Sequence, residues 1–360
     1  MSIIESMVHK CLSNAFNNSD EEEIKDFEKI KWIIFSDVHK GQGDGADDFK
    51  LCKSAYHAAL GYYLAAGYSL ILLGDVEELW ECFPKKVFKE YKDTFELEKK
   101  FIDVNGQERY LRIWGNHDDI WTWKRKIKKY GNQLMGKSKE LYEAKKFIIN
   151  YKGKKIILFL AHGHQGTLES DRFRWFSRFI VRVIWRNFQR LTRIRSERPA
   201  IDFKLRKSHE KSMYSWVSEK TRDTKMIFIC GHTHHPVFAS EVHEDGIILE
   251  INQLNKKLQT AKDEEKKKSI QEEISNKHAE LEWVRSKSDS ETAGIPDNPK
   301  PCFFNTGCCA FADGDITGIE IAEGEIRLVR WPDDNGDPKK KILKHEKLTS
   351  IFDRLLKESD

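Results

Sequence analysis

The sequence has too few cysteines, in the wrong spacing, for a disulfide framework or a thiolate zinc site. Its seven cysteines are odd in number and form no CxxC pair, so neither kind of site is predicted. The adjacent Cys308 and Cys309 are interpreted as small buried apolar residues, with a redox-sensing pair as the alternative. This use of cysteine is typical of a reducing cytoplasm.

Long hydrophobic runs and a strong charge imbalance are also missing. No apolar stretch approaches the roughly 20 residues that cross a bilayer, and residues 1–20 lack the basic-then-apolar layout of a secretory signal. The net charge is +4 with 33% charged residues, which argues against a bulk polyanion as partner. A chain of 360 residues can bury a sizeable core. We therefore expect a cytoplasmic protein.

Five short apolar runs in this chain each end in residues that commonly bind metals. Runs rich in β-branched and aromatic residues predict buried strands. In α/β folds the carboxyl ends of such strands line the binding crevice. The metal-binding residues at these ends are Asp37, His39, Asp75, Asn116, His162, His232 and His234. A metal centre is the simplest account of all five ends.

The number and type of these donors predict two metal ions. Seven nitrogen and oxygen ligands are too many for one ion, but they suit two ions that share a bridging carboxylate. Two metals about 3.5–4 Å apart clamp the attacking and leaving oxygens of a displacement at phosphorus, with a metal-bound hydroxide as the expected nucleophile. An amide, two aspartates and no cysteine favour Mn²⁺, with Fe or Zn²⁺ as alternatives. The expected activity is hydrolysis of a phosphoester or phosphoanhydride.

These motifs resemble the five ordered motifs of the calcineurin-like metallophosphoesterases. They are Asp37-x-His39, Gly74-Asp75, Gly115-Asn116-His117-Asp118, His162-Gly163 and Gly231-His232-Thr233-His234. The resemblance covers residues 31–331 and implies an α/β fold, a four-layer αββα sandwich of two mixed sheets flanked by helices.

The resemblance also implies a role for each residue of the site. One metal would be held by Asp37, His39, Asp75 and His234, and the other by Asp75, Asn116, His162 and His232. It further implies that His117 lies near the leaving-group oxygen, as a general acid or transition-state stabiliser, and that Glu78 orients it.

The second motif suggests a subfamily. The run Gly74-Asp75-Val76-Glu77-Glu78-Leu79-Trp80 is similar to the corresponding motif of UDP-2,3-diacylglucosamine pyrophosphohydrolases, which implies an amphipathic, nucleotide-linked lipid as substrate. His164 departs from that pattern, because those enzymes tend to have aspartate there. The alternatives are a nuclease or small-nucleotide phosphodiesterase, and a binding protein with a relict centre.

Residues 169–220 form an unusual basic and apolar insertion. Arginines recur at every fourth position from 174 to 190, among phenylalanines, isoleucines and tryptophans, which predicts a basic stripe on an amphipathic helix. We expect a helical cap over the catalytic rim. Contact of 172–195 with the inner membrane surface and a subunit interface are the alternatives. The candidate substrate contacts are Lys40, Asp44, His164, Arg174 and Arg178.

The remaining segments predict accessory elements. We expect an N-terminal helical extension over 1–30, a charged helical excursion over 253–298 and a charged tail over 332–360 that ends in a surface helix. A helix is predicted from Val76 to about Tyr91, with Glu77 and Glu78 at its start.

Local signals predict three smaller features. A hairpin is expected around residues 244–246, between strands over 237–242 and 246–251. Asp47 or Asp48 is expected to cap the helix after the glycine-rich loop 41–46. That loop formally satisfies a dinucleotide-binding fingerprint, but it is displaced from the strand end, which disfavours that alternative. Trp121 and Trp123 are expected to pack inward.

Overall fold

The computed structural model describes residues 2–102, 109–135, 141–166, 200–260, 264–285, 299–333 and 337–357. Two mixed β-sheets pack face to face, and helices cover the outer face of each. This arrangement confirms the predicted α/β sandwich.

One sheet has seven strands, which come from both halves of the chain. Its strands are β1 (Asp20–Ile24), β5 (Ala144–Tyr151), β6 (Lys154–Ala161), β7 (Met226–Cys230), β8 (Val237–Phe238), β9 (Glu241–Val242) and β10 (Phe303–Asn305). Their spatial order is β1-β5-β6-β7-β10-β8-β9. The central strands β6, β7 and β10 run parallel.

The other sheet has six strands and carries the first three predicted strands. Its strands are β2 (Lys31–Phe35), β3 (Ser69–Leu73), β4 (Tyr110–Ile113), β11 (Ile316–Ala322), β12 (Glu325–Trp331) and β13 (Lys341–Lys347). Their spatial order is β13-β12-β11-β2-β3-β4. Strands β2, β3 and β4 run parallel, and the other three pairings are antiparallel.

Alternation along the six-stranded sheet explains the two cores of the molecule. Ile34 and Ile71 point into the core between the two sheets. Their neighbours Ile33, Phe35 and Leu70 point into the core under the helices. Because successive side chains of a strand face opposite sides, continuous apolar runs are what strands buried on both faces require.

Helices cover both outer faces of the sandwich. They are α1 (Ile3–Asn18), α2 (Phe49–Ala65), α3 (Pro84–Glu90), α4 (Lys92–Lys99), α5 (Lys124–Met135), α6 (Ala200–Asp223), α7 (His243–Thr260), α8 (Glu264–Arg285) and α9 (Leu348–Lys357). Helices α2, α3 and α4 cover the six-stranded sheet. Helices α1 and α6 cover the seven-stranded sheet, where Phe16 and Trp216 pack against Phe159 at 5.2 and 5.8 Å between ring centroids. No helix within the described ranges is long and apolar enough to cross a membrane.

The described part of the predicted insertion, in α6, therefore belongs to the outer helical layer. The segment 172–195, with its proposed membrane contact, lies outside the described residues.

The predicted helix from Val76 is wrong over its first half, because helix α3 begins only at Pro84. Glu77 and Glu78 do not cap a helix. Both carboxylates turn inward to partners on other elements, and those tertiary contacts override the local preference of acids for a helix start.

The hairpin predicted around residues 244–246 is wrong, and a shorter hairpin lies wholly within its first predicted strand. Strands β8 and β9 do pair, but residues 246–251 belong to helix α7. Helices α7 and α8 pack on each other through Ile247, Ile251 and Leu281. The predicted charged excursion is thus a helical hairpin that begins at His243.

The chain termini add strands that the sequence did not indicate. Residues 20–24 form the acidic edge strand β1, which pairs with β5; Lys145 and Lys146 neutralise Glu22 and Glu21 at 3.4 and 3.1 Å. At the other end, β13 joins the six-stranded sheet. The tail ends in helix α9, which packs an apolar face that includes Phe352 into the core and exposes its other face.

Two further predictions need correction. Asp47 does not cap α2; it closes the glycine-rich loop, accepting the backbone N–H groups of Gly41 and Gly43 at 3.3 and 2.6 Å. Asp48 stands at the cap position without a side-chain hydrogen bond. Trp121 is buried as predicted, but Trp123 is 54% exposed.

Candidate metal centre

The predicted ligands lie where the parallel strands of both sheets end. Asp37, Asp75 and Asn116 follow β2, β3 and β4 of one sheet, and His162 and His232 follow β6 and β7 of the other. Backbone hydrogen bonds tie neighbouring ends together within each sheet, as between Asp37 and Gly74 at 3.1 Å. The two sheets therefore deliver their polar ends to one rim.

Three overlapping groups of donor atoms form at this rim. Each consists of donors that lie within 4.8 Å of one another: Asp37 with His39 and His234, His39 with Asp75 and His117, and Asp75 with His162 and His232. Neutral imidazole and carboxylate are suitable ligands for divalent cations. The structure therefore assembles groups that could hold metal ions, and Asp75 belongs to more than one of them.

Asn116, the remaining predicted ligand, is 2% exposed directly after β4. Its backbone carbonyl accepts the indole N–H of Trp80 at 2.6 Å. The next residue, His117, donates its backbone N–H to Asp75 Oδ1 at 2.8 Å, which places Asn116 beside the shared carboxylate.

The ring of His162 is oriented as a metal ligand would be. Its Nδ1 lies 2.8 Å from the carbonyl oxygen of Leu73, which can only accept, so Nδ1 carries hydrogen. Nε2 lies 3.0 Å from Asp75 Oδ2 without the alignment of a hydrogen bond. Metal-binding histidines commonly donate their other ring N–H to a carbonyl in this way.

Two buried polar atoms indicate that cations fit this site. Nε2 of His162 and Oδ1 of Asp37 are both buried and make no hydrogen bond in the described chain. Asp37 Oδ1 nevertheless lies 3.0 Å from Nε2 of His234. Buried polar atoms without hydrogen bonds are costly. One such atom lies in each of two ligand groups, so a cation in each would satisfy both.

The backbone at the ligands is unusual. Nine described residues other than glycine have positive φ, and five of them are Asp37, His39, Asp75, His232 and His234, with φ between 51° and 70°. This left-handed region costs non-glycine residues free energy and persists at functional sites where the surroundings impose it. The chain bends at these five residues so that their side chains converge.

Two glycines beside the predicted ligands leave no room for a side chain. A β-carbon at Gly231 would collide with the side chains of Ser36 and Asp37, and one at Gly74 would collide with the ring of His162. The two sheets approach this closely only because these positions lack side chains.

The charges at the centre are strongly coupled. Burial alone would raise the pKa of Asp37, but His234 and His162 hold that pKa well below its ordinary value. Burial would lower the pKa of His162, but Asp75 and Asp37 raise it to about 9. Burial and the neighbouring rings of His162 and His209 lower the pKa of His232. In the metal-free chain, protons on some of the histidines thus balance the carboxylates.

Glu78 holds two histidines at once. Its carboxylate accepts from Nδ1 of His117 at 2.9 Å and from Nδ1 of His39 at 3.1 Å. The Nε2 atoms of His39 and His234 then face each other at 3.2 Å. The side chain of His117 is 26% exposed, so its ring lies at the mouth of the site.

Sequence reasoning missed the role of Trp80. Its indole ring stacks on His117 with centroids 5.2 Å apart and an angle of 26°, while its N–H is held by Asn116. Trp80 thereby fixes one face of the exposed ring. The sequence signal for this role was the position of Trp80 in the second motif, two residues after Glu78.

A buried network of charges lies behind the ligand loops. The guanidinium of Arg112, on β4, contacts the carboxylates of Glu77 and Asp118. Asp118 accepts the backbone N–H groups of Val76 and Gly115 at 3.0 and 2.7 Å. The network therefore fixes the loops that carry Asp75 and Asn116.

Lys40, a predicted substrate contact, belongs to this network instead. It is 0% exposed, and its ammonium contacts both oxygens of Glu98 at 2.7 and 2.9 Å and Glu77 at 3.4 Å. A buried ammonium requires such partners, so the prediction of a substrate contact is wrong.

The other predicted substrate contacts have different outcomes. Asp44 accepts from the Gln42 side chain at 2.6 Å and from Ala46 N–H at 3.2 Å within its loop. His164 is 5% exposed beside Trp114 and His162, with centroids 5.1 and 5.5 Å away. Arg174 and Arg178 lie outside the described residues.

Helix α6 contributes two residues that the sequence did not indicate. His209 bonds through Nε2 to the carbonyl of Gly163 at 2.6 Å, and its ring lies 5.3 Å from that of His232. Glu210 accepts from the Thr233 hydroxyl at 2.9 Å. Through this pair α6 supports the ligand loops of the seven-stranded sheet.

Comparison with known proteins adds little to this geometry. No family model matches the sequence, and no curated protein matches it. Among solved structures, the chain matches a single-mutant form of Vps29 from Entamoeba histolytica with 13% identity and a TM-score of 0.30, over 87% of this chain and 98% of that one. A likeness this weak supports no inference about function.

Proposed function

We propose that this chain is a dinuclear-metal-dependent hydrolase of phosphoester or phosphoanhydride bonds. The observation that carries the proposal is the shared carboxylate of Asp75, which joins ligand groups on both sides of the rim. The ordered motifs that resemble those of calcineurin-like metallophosphoesterases support the same conclusion. Oxygen and imidazole donors without thiolates favour Mn²⁺, then Fe or Zn²⁺.

Some residues would bind the metals in such a reaction, and others would donate the proton. Asp37, His39, Asp75 and His234 would hold one metal, and Asp75, Asn116, His162 and His232 the other. Bound divalent ions would polarise the phosphoryl group and acidify water. Glu78 accepts the Nδ1 hydrogen of His117, which leaves Nε2 of that ring to deliver a proton to the departing oxygen.

We further propose that the substrate is amphipathic, such as a nucleotide-linked lipid of the UDP-diacylglucosamine type. The apolar, arginine-rich segment 167–199 begins right after Gly166, four residues from His162, and leads into α6. Helix α6 in turn contacts the ligand loops through His209 and Glu210. The described residues that flank that segment, Gly166 and Ala200, are four residues after His162 and nine residues before His209. Contact with the cytoplasmic face of a membrane is part of this proposal.

A substrate panel with Mn²⁺ tests both proposals. The panel contains p-nitrophenyl phosphate, its bis-ester, a UDP-sugar lipid and short oligonucleotides. We expect hydrolysis by the wild-type chain, and none by Asp75→Ala, because that change removes the ligand common to both ions. Metal content is measured alongside activity.

Asp48→Ala is the matched control, because Asp48 is exposed and its side chain makes no cap bond. Wild-type turnover by Asp75→Ala would overturn the hydrolase proposal. Brisk turnover of soluble diesters without turnover of the UDP-lipid would overturn the lipid proposal alone, and preference for oligonucleotides would indicate a nuclease.

A further inference from the structure

A basic cavity of about 470 Å³ opens between helices α3, α4 and α5. None of the residues that line it is a predicted metal ligand. Its wall carries the lysines Lys85, Lys89, Lys92, Lys99 and Lys129 and a single acid, Glu96.

The sequence itself directs these lysines to one side. Residues 85, 89, 92, 96 and 99 follow alternating steps of four, three, four and three, which is the spacing of one helix face. Helices α3 and α4 meet at Tyr91, and helix-type hydrogen bonds from Tyr91 to Val87 and from Phe95 to Tyr91 keep the face continuous. Lys129 on α5 faces it from the other side of the cavity.

The floor of the cavity is aromatic. Phe88 stacks on Tyr130 with centroids 5.7 Å apart and an angle of 28°, and it contacts Phe95 at 4.7 Å. Phe95 and Tyr130 are almost fully buried. The floor is therefore well packed, and lysine stems can cover apolar surface of this kind while their charges stay in water.

The charge of the cavity is its unusual feature. Five lysines and one glutamate give it a formal charge of +4, as large as that of the whole chain. Glu96 contacts Lys92 at 3.7 Å, which leaves four lysines around one concavity. Like charges in a concave site repel one another and concentrate anions.

We propose that this cavity binds a small molecule that carries two or more phosphate groups. Several ammonium groups around an aromatic floor suit a compact polyanion, because lysine binds phosphate as a point charge without a fixed geometry. A single phosphate would leave most of the lysines unneutralised.

This site lies behind the metal centre, and the proposal does not rest on the hydrolase activity. Phe95 of the floor lies 3.9 Å from the buried ammonium of Lys40. From Lys40 the buried charge network runs through Glu77 and Arg112 to Asp118. These buried side chains stand between the cavity and the ligand loops.

Binding of tripolyphosphate to the full chain tests the proposal. Titration calorimetry would compare tripolyphosphate, ATP, inositol hexakisphosphate, inorganic phosphate and adenosine. We expect the three polyphosphates to bind and the other two to bind much more weakly. The double variant Lys89→Glu/Lys129→Glu should bind tripolyphosphate about tenfold or more weakly, since two favourable charges become unfavourable. The tighter of ATP and inositol hexakisphosphate identifies the source of the phosphates.

The control Lys25→Glu/Lys154→Glu makes the same change of charge at exposed positions elsewhere. It should keep wild-type affinity, and both double variants should keep the wild-type melting temperature. Equal weakening in both would show diffuse attraction and overturn the proposal. So would binding that survives in Lys89→Glu/Lys129→Glu but is lost in Asp75→Ala, because the probe would then occupy the metal centre. Adenosine binding as tight as ATP would also overturn it.

Discussion

At the scale of single residues, His117 could serve either as a metal ligand or as a proton donor. It falls in a donor group with His39 and Asp75, yet its ring is partly exposed and is held on both sides by Glu78 and Trp80. Side chains that bind a metal are normally buried around the ion, whereas a proton donor must meet the substrate. The exposure of His117 favours the second role.

We predict that His117→Ala retains both metal ions and loses about 10²–10⁴-fold in turnover, the usual contribution of a positioned acid. Turnover of the bis-ester and metal content per chain measure the two effects separately. His345→Ala, on an exposed edge strand, is the control and should change neither. Loss of one metal from His117→Ala would identify His117 as a ligand instead.

At the scale of elements, the loops after β3 and β4 depend on the buried charges beneath them. Arg112 lies within β4 and connects Glu77 and Asp118, which belong to those two loops. All three side chains are fully buried. Burial would lower the pKa of Arg112, but Glu77, Tyr110 and Asp118 raise it, so the guanidinium stays charged.

Arg112→Met is therefore expected to lower the free energy of unfolding by about 3–5 kcal/mol, because it leaves buried carboxylates without their partner. Urea unfolding measures the change. Arg125→Met, on the exposed face of α5, should alter the midpoint little. A loss below about 1 kcal/mol for Arg112→Met would show that the carboxylates find other partners.

The elements also show how far sequence reasoning reaches. The five strands that end in ligands were predictable because a short apolar run and its polar end are both local. The loop after Asp75 was not predictable. Glu77 and Glu78 have the local pattern of a helix start, and their actual partners, Arg112 and His117, are distant in the sequence. His209 and Glu210 had no local signal, because only the packing of α6 on the seven-stranded sheet brings them to the centre.

At the scale of the molecule, the candidate metal centre lies between the two sheets. The acidic ligands come from the six-stranded sheet, and His162, His232 and His234 come from the other or its loops. Bound cations would therefore crosslink the layers of the sandwich. A ligand that binds only the folded state stabilises it by a free energy that grows with the logarithm of its concentration relative to its dissociation constant.

We predict that this stabilisation grows as the pH rises from about 6.5 to about 9, the interval between the ordinary pKa of histidine and that of buried His162. In the metal-free chain the raised pKa of His162 adds to the free energy of unfolding. This contribution is present in full below about pH 6.5 and is lost as the pH rises through about 9. Metal must displace that proton, so its affinity increases over the same interval, about tenfold per pH unit and proton.

Urea unfolding with and without Mn²⁺ at pH 6.5, 7.5 and 8.5 measures this difference. The metal-free midpoint should fall with pH, while the metal-loaded midpoint should change less. If Mn²⁺ raised the urea midpoint by the same amount at all three pH values, no proton would be displaced from the centre.

The left-handed backbone at the five ligands has an evolutionary consequence. Each such residue costs about 1–3 kcal/mol, a penalty that glycine would not incur. A laboratory selection for heat resistance alone should thus enrich glycine at Asp37, His39, Asp75, His232 and His234, and would erase the centre as it did so. Relief of this backbone strain by glycine would therefore come only with loss of the donor side chains.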